Sequence, residues 1–218
     1  MEDNPTTPGI HEQVLQTGNR RYTLAIPDGY THQQPRALII GLHWGGPVTP
    51  YIGKWYLLGL VAPALGELGA IIAAPDCTAE HWADPSSEEV VIDLLDHLQG
   101  TYNIDTQRVL LTGYSMGGIG TWMLAARFQE RFAAALIVSA VPPTDVVDVQ
   151  WNLPLYVIHS RRDEIFQLGD TESMVNQLRE NGVAIELDIV EAITHFQTEQ
   201  FVEPLHAAIP WIQESWRY

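Results

Sequence analysis

The sequence predicts an α/β fold built on one mostly parallel sheet flanked by helices, and three observations carry that reading. Short apolar runs alternate with helix-length amphipathic stretches along most of the chain, which is the pattern of strands joined by helical crossovers. Several runs, such as 37–42 (ALIIGL) and 70–74 (AIIAA), are apolar at consecutive positions, as strands covered on both faces must be. The length of 218 residues suits a single domain with a substantial core.

Taken in order, residues 1–19 read as an N-terminal extension, and 21–26 as a strand closed by the turn Pro27-Asp28-Gly29. The buried strand 37–42 is followed by a helix over 54–68, which ends near Gly69, and by the strand 70–74. Ser86-Ser87-Glu88-Glu89 opens a helix to about Leu98, since capping hydroxyls and acidic residues favour the positive end of a helix. Val90, Val91, Leu94, Leu95 and Leu98 supply its apolar stripe. A strand at 108–112, a helix at 117–128 and strands at 133–139 and 155–159 come next. A helix at 171–180 stops at Asn181-Gly182, a good C-terminal cap. The last strand is 184–190, and the last helix covers 198–216 with a kink at Pro210. Only a short stretch separates Ala140 from Leu153, so no large cap domain is expected there.

Composition narrows the function. The formal charge of −16 repels phosphate backbones and anionic lipids, which argues against nucleic-acid and membrane-surface partners. No apolar run reaches the roughly 18 residues that span a bilayer, and 1–9 lacks the basic and apolar regions of a signal peptide. A cytoplasmic location is the resulting expectation. The single Cys77 excludes an internal disulfide and a cysteine-rich metal site. It reads as a small buried residue, and no metal is expected.

Gly113-Tyr114-Ser115-Met116-Gly117 matches the pattern G-x-S-x-G, between the strand ending VLLT and an Ala- and Leu-rich helix. That context suits a nucleophile elbow, in which a strained turn lifts Ser115 above the sheet and small neighbours relieve crowding. The following helix N-terminus directs the N–H of Met116 toward a developing oxyanion. A second donor is expected from Trp44 or Gly45 in the turn Gly41-Leu42-His43-Trp44-Gly45-Gly46, where glycine lets backbone approach a ligand closely. His43 reads as a brace of that turn.

A serine nucleophile needs an imidazole base, and the base needs a carboxylate to orient it. In an open α/β sheet such groups lie in loops at the carboxyl ends of strands. The strand 155–159 leads to Asp163 and the strand 184–190 leads to His195, giving the chain order Ser, Asp, His. Asp145, Asp148 and Asp170 are the competing acids, and His159 and His206 the competing bases. The latter two fall inside a strand and a helix.

Together these residues resemble the α/β-hydrolase superfamily from about Arg20 onward. The stretch Tyr102-Asn103-Ile104-Asp105-Thr106-Gln107-Arg108-Val109 running into LTGYSMGG, with RFAAALIVSA and LPLYVIHSRRDE, is similar to polyhydroxybutyrate-depolymerase-like and feruloyl-esterase-like enzymes. The phospholipase/carboxylesterase group and prolyl-oligopeptidase-type domains lie nearby. The resemblance implies a serine carboxylesterase acting on small soluble esters through Ser115, His195 and Asp163, with no cofactor. A serine peptidase and a non-catalytic binding protein on the same fold are the alternative readings. Dienelactone hydrolases share the fold but usually carry cysteine at the nucleophile position, and Ser115 disfavours that chemistry.

Two departures concern the pocket. Trp44 follows His43 where such enzymes usually have glycine, and His159-Ser160 precedes the acid loop in place of His-Gly. An indole at 44 is expected to narrow the site or stack on an aromatic acyl group. Trp44, Tyr51, Trp82, Tyr114, Ile165 and Phe196 are the expected pocket walls.

Overall fold

A computed structural model describes residues 4–15, 17–47 and 49–217. Eight strands form one sheet: β1 (Gly9–Leu15), β2 (Arg20–Ile26), β3 (Arg36–Leu42), β4 (Ile71–Pro75), β5 (Ile104–Tyr114), β6 (Ala134–Val138), β7 (Leu155–Arg162) and β8 (Ile185–Thr194). Their spatial order is β1-β2-β4-β3-β5-β6-β7-β8. β1 pairs antiparallel with β2, as does β2 with β4, and the pairs from β4 through β3 to β8 are parallel.

The expected N-terminal extension 1–19 thus contains an edge strand. Its residues 1–3 and 16 lie outside the described residues. β1 is exposed or half-buried at every position except Leu15, so burial gave its sequence little apolar signature.

Side-chain alternation divides the core between the two faces of the sheet. Leu38, Ile40 and Leu42 of β3 point to one side with Val109 and Leu111 of β5. Ala37, Ile39 and Leu110 point to the other. The first face is covered by α3 (Pro85–Thr101), α4 (Met116–Arg127) and α5 (Leu168–Glu180), through residues such as Leu94, Trp122 and Val175. The second is covered by α1 (Gly53–Tyr56), α2 (Ala62–Leu65), α6 (Val202–Ala207) and α7 (Ile209–Ser215), through residues such as Leu57, Leu65, Leu205 and Ile212.

Two expected helices are broken, each for an identifiable reason. The segment 53–68 passes through a π turn at Leu57–Val61 and ends in a 3₁₀ turn at Gly66–Leu68. Pro63 cannot donate back into the preceding turn, and a widened turn accommodates its ring. The C-terminal helix divides at Ala208, with Pro210 in the first turn of α7, where a missing N–H costs nothing. Asp84, rather than a serine, caps α3, with its side chain accepting from the Ser86 N–H at 2.9 Å.

Among the described residues, no helix is long and apolar enough to cross a membrane. The stretch between β6 and β7 contains only a 3₁₀ turn at Thr144–Val146, and among the described residues no inserted cap domain covers the carboxyl edge of the sheet.

Candidate active site

Parallel pairing aligns the carboxyl ends of the central strands, so the loops that follow them meet on one edge of the sheet. Leu42 lies opposite Gly113 and Tyr114 opposite Val138, which sets the turn after β3 beside the turn after β5. Ser115 occupies that second turn with φ 57 and ψ −120, a conformation that side chains adopt at a cost of about 1–3 kcal/mol. Its N–H donates to Val138 O at 3.0 Å, and its carbonyl accepts from Ile119 N–H at 3.0 Å. These bonds and the tight packing hold the strained residue in place.

The glycines of the elbow are required by close backbone approach. A Cβ on Gly113 would lie 2.1 Å from Gly117 O, and one on Gly117 would lie 2.0 Å from Leu42 O. No side chain fits at either position.

His195 follows β8 and Asp163 follows β7. His195 Nε2 lies 2.8 Å from Ser115 Oγ, and His195 Nδ1 lies 2.9 Å from Asp163 Oδ2. The carboxylate accepts at Nδ1–H, which leaves Nε2 to accept the serine hydroxyl proton. Asp163 Oδ1 accepts from the backbone N–H groups of Ile165 at 3.0 Å and Phe166 at 2.8 Å. Burial alone would raise the Asp163 pKa. Hydrogen bonds from His195, Phe166 and Ile165 outweigh it and hold the carboxyl below its ordinary range.

His195 is also fixed through its own peptide group. Its N–H donates to Glu164 Oε2 at 2.8 Å, and its carbonyl accepts the Tyr114 hydroxyl. Burial pushes the Tyr114 pKa up to about 12, so the phenol keeps the proton it donates. The Tyr114 ring lies 5.5 Å from the imidazole, centre to centre, and Phe166 meets it edge-on at the same separation.

Of the rivals, His159 adjoins the site, with its Nε2 3.8 Å from Asp163 Oδ2. His159 is buried, and that burial lowers its pKa. Its Nε2–H donates to Phe166 O at 2.9 Å and its Nδ1 accepts from Thr171 Oγ1 at 3.1 Å, so it braces the acid loop as a neutral ring. His206 is exposed, 3.3 Å from Glu67. Asp145 lies in the 3₁₀ turn after β6, and Asp170 in the first turn of α5.

His43 braces the turn after β3. The Cys77 N–H donates to its Nε2 at 3.0 Å, so its Nδ1–H donates to Trp44 O at 2.6 Å. Burial lowers its pKa as well. The turn brings Gly45 against Met116, since a Cβ on Gly45 would contact Met116 Sδ at 3.4 Å.

A cleft of about 380 Å³ opens over the serine, lined by Trp44, Gly45, Tyr114, Ser115, His195, Phe196 and Thr198. Three of the expected pocket walls, Trp44, Tyr114 and Phe196, therefore line it. The other three do not. Trp82 is fully buried, and its indole N–H donates to His43 O at 2.9 Å, so it supports the turn from beneath. Tyr51 holds a loop position with φ 59, its N–H bonded to Asp76 Oδ2 at 2.7 Å. Ile165 is 50% exposed and contributes its backbone N–H to Asp163 rather than a wall.

A model of the dienelactone hydrolase family matches residues 22–207. The chain belongs to that family. It is 34% identical over 140 residues to feruloyl esterase C of Emericella nidulans, an alignment covering 61% of this chain and 50% of that protein. The chain thus spans about half the length of the curated relatives it matches. Among solved structures, a thermostable esterase superposes with a TM-score of 0.78 at 22% identity, covering 94% of this chain and 62% of the other. A ferulic acid esterase superposes with a TM-score of 0.77 at 18% identity, covering 95% and 97%. At those identities the structural likeness speaks for the α/β-hydrolase fold.

Within this dienelactone hydrolase family member, several residues at the site carried no sequence signal. Glu164 follows the acid candidate as an ordinary charged loop residue, and its bond to His195 spans 31 positions. Thr198 lines the cleft from the segment preceding α6. Asp76 is buried and accepts from both Tyr51 and Gly53 N–H, a role that a position just past a strand only hints at. Among the described residues no group of three or more His, Cys, Asp or Glu side chains could hold a metal ion.

Proposed function

We propose that this protein is a carboxylic ester hydrolase acting on small soluble esters through Ser115, His195 and Asp163. The observation that carries the reading is the placement of His195 between the other two, 2.8 Å from Ser115 Oγ and 2.9 Å from Asp163 Oδ2. His195 accepts the Ser115 proton as Oγ attacks the ester carbonyl, and Asp163 stabilises the imidazolium that forms. The carbonyl oxygen becomes an oxyanion beside the N–H of Met116 and that of Trp44 or Gly45. Each such donor contributes about 10²–10³ in rate. His195 then gives the proton to the departing alcohol. Water repeats the sequence and releases the acid, so the net reaction is ester plus water to acid plus alcohol.

The feruloyl esterases among the relatives support ester chemistry, and the open cleft supports access by small molecules in solution. Ser115→Ala is expected to abolish hydrolysis of short p-nitrophenyl esters while leaving the thermal midpoint near the wild-type value, and a fluorophosphonate is expected to label Ser115 only. Turnover retained by Ser115→Ala would defeat this reading.

A further inference from the structure

Tyr114 immediately precedes the nucleophile, and its hydroxyl donates to the carbonyl of His195, 81 positions away in the chain. One rigid ring therefore joins the elbow to the loop that carries the imidazole; this inference rests on the triad reading above. The side chain is buried and packed edge-on against Phe201 and Trp44, with ring centres 5.5 and 6.4 Å away. Its reach is thus fixed, and with it the separation between the elbow and the His195 peptide. A phenol hydroxyl can still turn about its C–O bond, and one aimed away from His195 would hold nothing.

Ser139 stands where it can aim that hydroxyl. It follows β6, whose last residue, Val138, lies opposite Tyr114, so it sits beside the elbow on the neighbouring strand. Two penalties fall on this one residue. Its φ is 49, a conformation that glycine adopts freely and other residues adopt at a cost. Its hydroxyl is buried and closes no hydrogen bond of ordinary geometry, a cost that alanine would avoid. Strand alternation would send the side chain after Val138 to the face of Ile137, away from Tyr114. The positive φ breaks that alternation. Ser139 and Thr198 are the hydroxyls that oppose the rise burial imposes on the Tyr114 pKa, so Ser139 faces the phenol oxygen. Such a contact orients a hydroxyl effectively in a buried, low-dielectric setting.

We infer that Ser139 and Tyr114 are positioning residues for the reaction: the Ser139 hydroxyl turns the Tyr114 O–H onto the His195 carbonyl, and Tyr114 holds the base within bonding distance of Ser115. The strain at Ser139 is then the means of aiming its hydroxyl, which neither glycine nor alanine could replace. The phenol keeps its proton throughout, and the pair touches no reacting atom. It acts by geometry, on kcat rather than on substrate binding.

The test combines steady-state kinetics on p-nitrophenyl butyrate with thermal melts. Tyr114→Phe retains the ring that lines the cleft and removes only the donor. It is expected to lower kcat about tenfold with KM within about twofold of wild type. Ser139→Ala and Ser139→Gly both remove the hydroxyl, but only glycine also relieves the φ of 49. Ser139→Gly is therefore expected to melt above Ser139→Ala, while both lower kcat by the same factor of about three. An equal fall in two variants of unequal stability follows from the lost hydroxyl and not from loosened packing. In the Tyr114→Phe background neither substitution at 139 is expected to lower kcat further, because the oxygen through which Ser139 acts is gone. Wild-type kcat in Ser139→Gly, or a loss in Ser139→Ala that multiplies in full with that of Tyr114→Phe, overturns the role of Ser139. Wild-type kcat in Tyr114→Phe overturns the whole inference. Turnover by Ser115→Ala would defeat the triad reading itself, whereas an inactive Ser115→Ala beside normal kcat in Tyr114→Phe and Ser139→Gly would defeat only the positioning role.

Discussion

The two halves of the site are held by different physics. The elbow at 113–118 is fixed by steric exclusion: Gly113 and Gly117 meet backbone carbonyls at distances that no Cβ tolerates, and Ser115 is held at φ 57 between them. The acid–base half is fixed by directional bonds, where Asp163 and Glu164 of the loop after β7 and Tyr114 at the end of β5 each grip a different atom of His195. Steric exclusion acts over a few neighbouring residues and writes a short motif. Directional bonding acts across tens of positions and leaves no local pattern. The elbow is thus expected to reject any added Cβ, while the other half is expected to keep its shape on losing one bond.

Experiments can probe that contrast in descending order of effect. Asp163→Asn keeps the outline of the loop but favours the wrong imidazole tautomer, and a fall in kcat of about 10⁴ is expected in steady-state kinetics. A loss below tenfold would mean that His195 is oriented without it. Gly117→Ala forces a Cβ to within 2.0 Å of Leu42 O, and denaturant melts are expected to show a loss of about 3 kcal/mol or more. A near-wild-type midpoint would break the steric account.

Glu164→Ala tests the tolerant half. It removes the acceptor for the His195 N–H, and kcat is expected to fall about tenfold with KM little changed. Glu164→Gln, which retains an acceptor oxygen, is expected to restore most of the activity; failure of that rescue would show that charge rather than the hydrogen bond matters. Trp82→Phe removes one donor to His43 O beneath the turn, and a loss of about 1 kcal/mol in stability is expected from melts.

The smallest effect concerns pH. Burial lowers the pKa of both His43 and His159 from the ordinary 6.5. Below that value the unfolded chain binds protons that the folded chain refuses, so stability falls as pH drops toward the lowered folded values. The Asp163 contribution has the same sign and lies at lower pH. Its depressed folded pKa gives stability that is complete above the unfolded carboxyl range and lost as pH falls through the folded value. Urea midpoints measured from pH 7 downward are expected to decline, and His159→Gln is expected to flatten the first part of that decline. An unchanged slope would show that His159 does not resist protonation.

Legibility in the sequence followed the same divide. The strands 37–42 and 70–74 were readable because burial on both faces demands consecutive apolar residues. β5 runs from Ile104 to Tyr114, well beyond the 108–112 expected, because its first half is partly exposed and carries Asp105, Thr106 and Gln107. β8 likewise continues to Thr194 through the exposed Glu191 and Ala192. Asp163 and His195 were placed by chain order and by the ends of strands, whereas Glu164 was not, because one exposed acid in a loop resembles any other. Trp82 was misread as a pocket wall because an aromatic side chain carries the same hydrophobic signal in a core as in a site.

By itself the sequence determined the class of sheet, the elbow and the chain order of Ser115, Asp163 and His195. These depend on periodicity, on the size of glycine and on which residues can act as nucleophile, base and acid, all of which are local properties. Only the tertiary structure decided which aromatics reach the cleft, which histidines serve as braces, and that Gly45 lies against Met116. Those facts depend on contacts between residues tens of positions apart, whose geometry is set by the packing of the whole sheet.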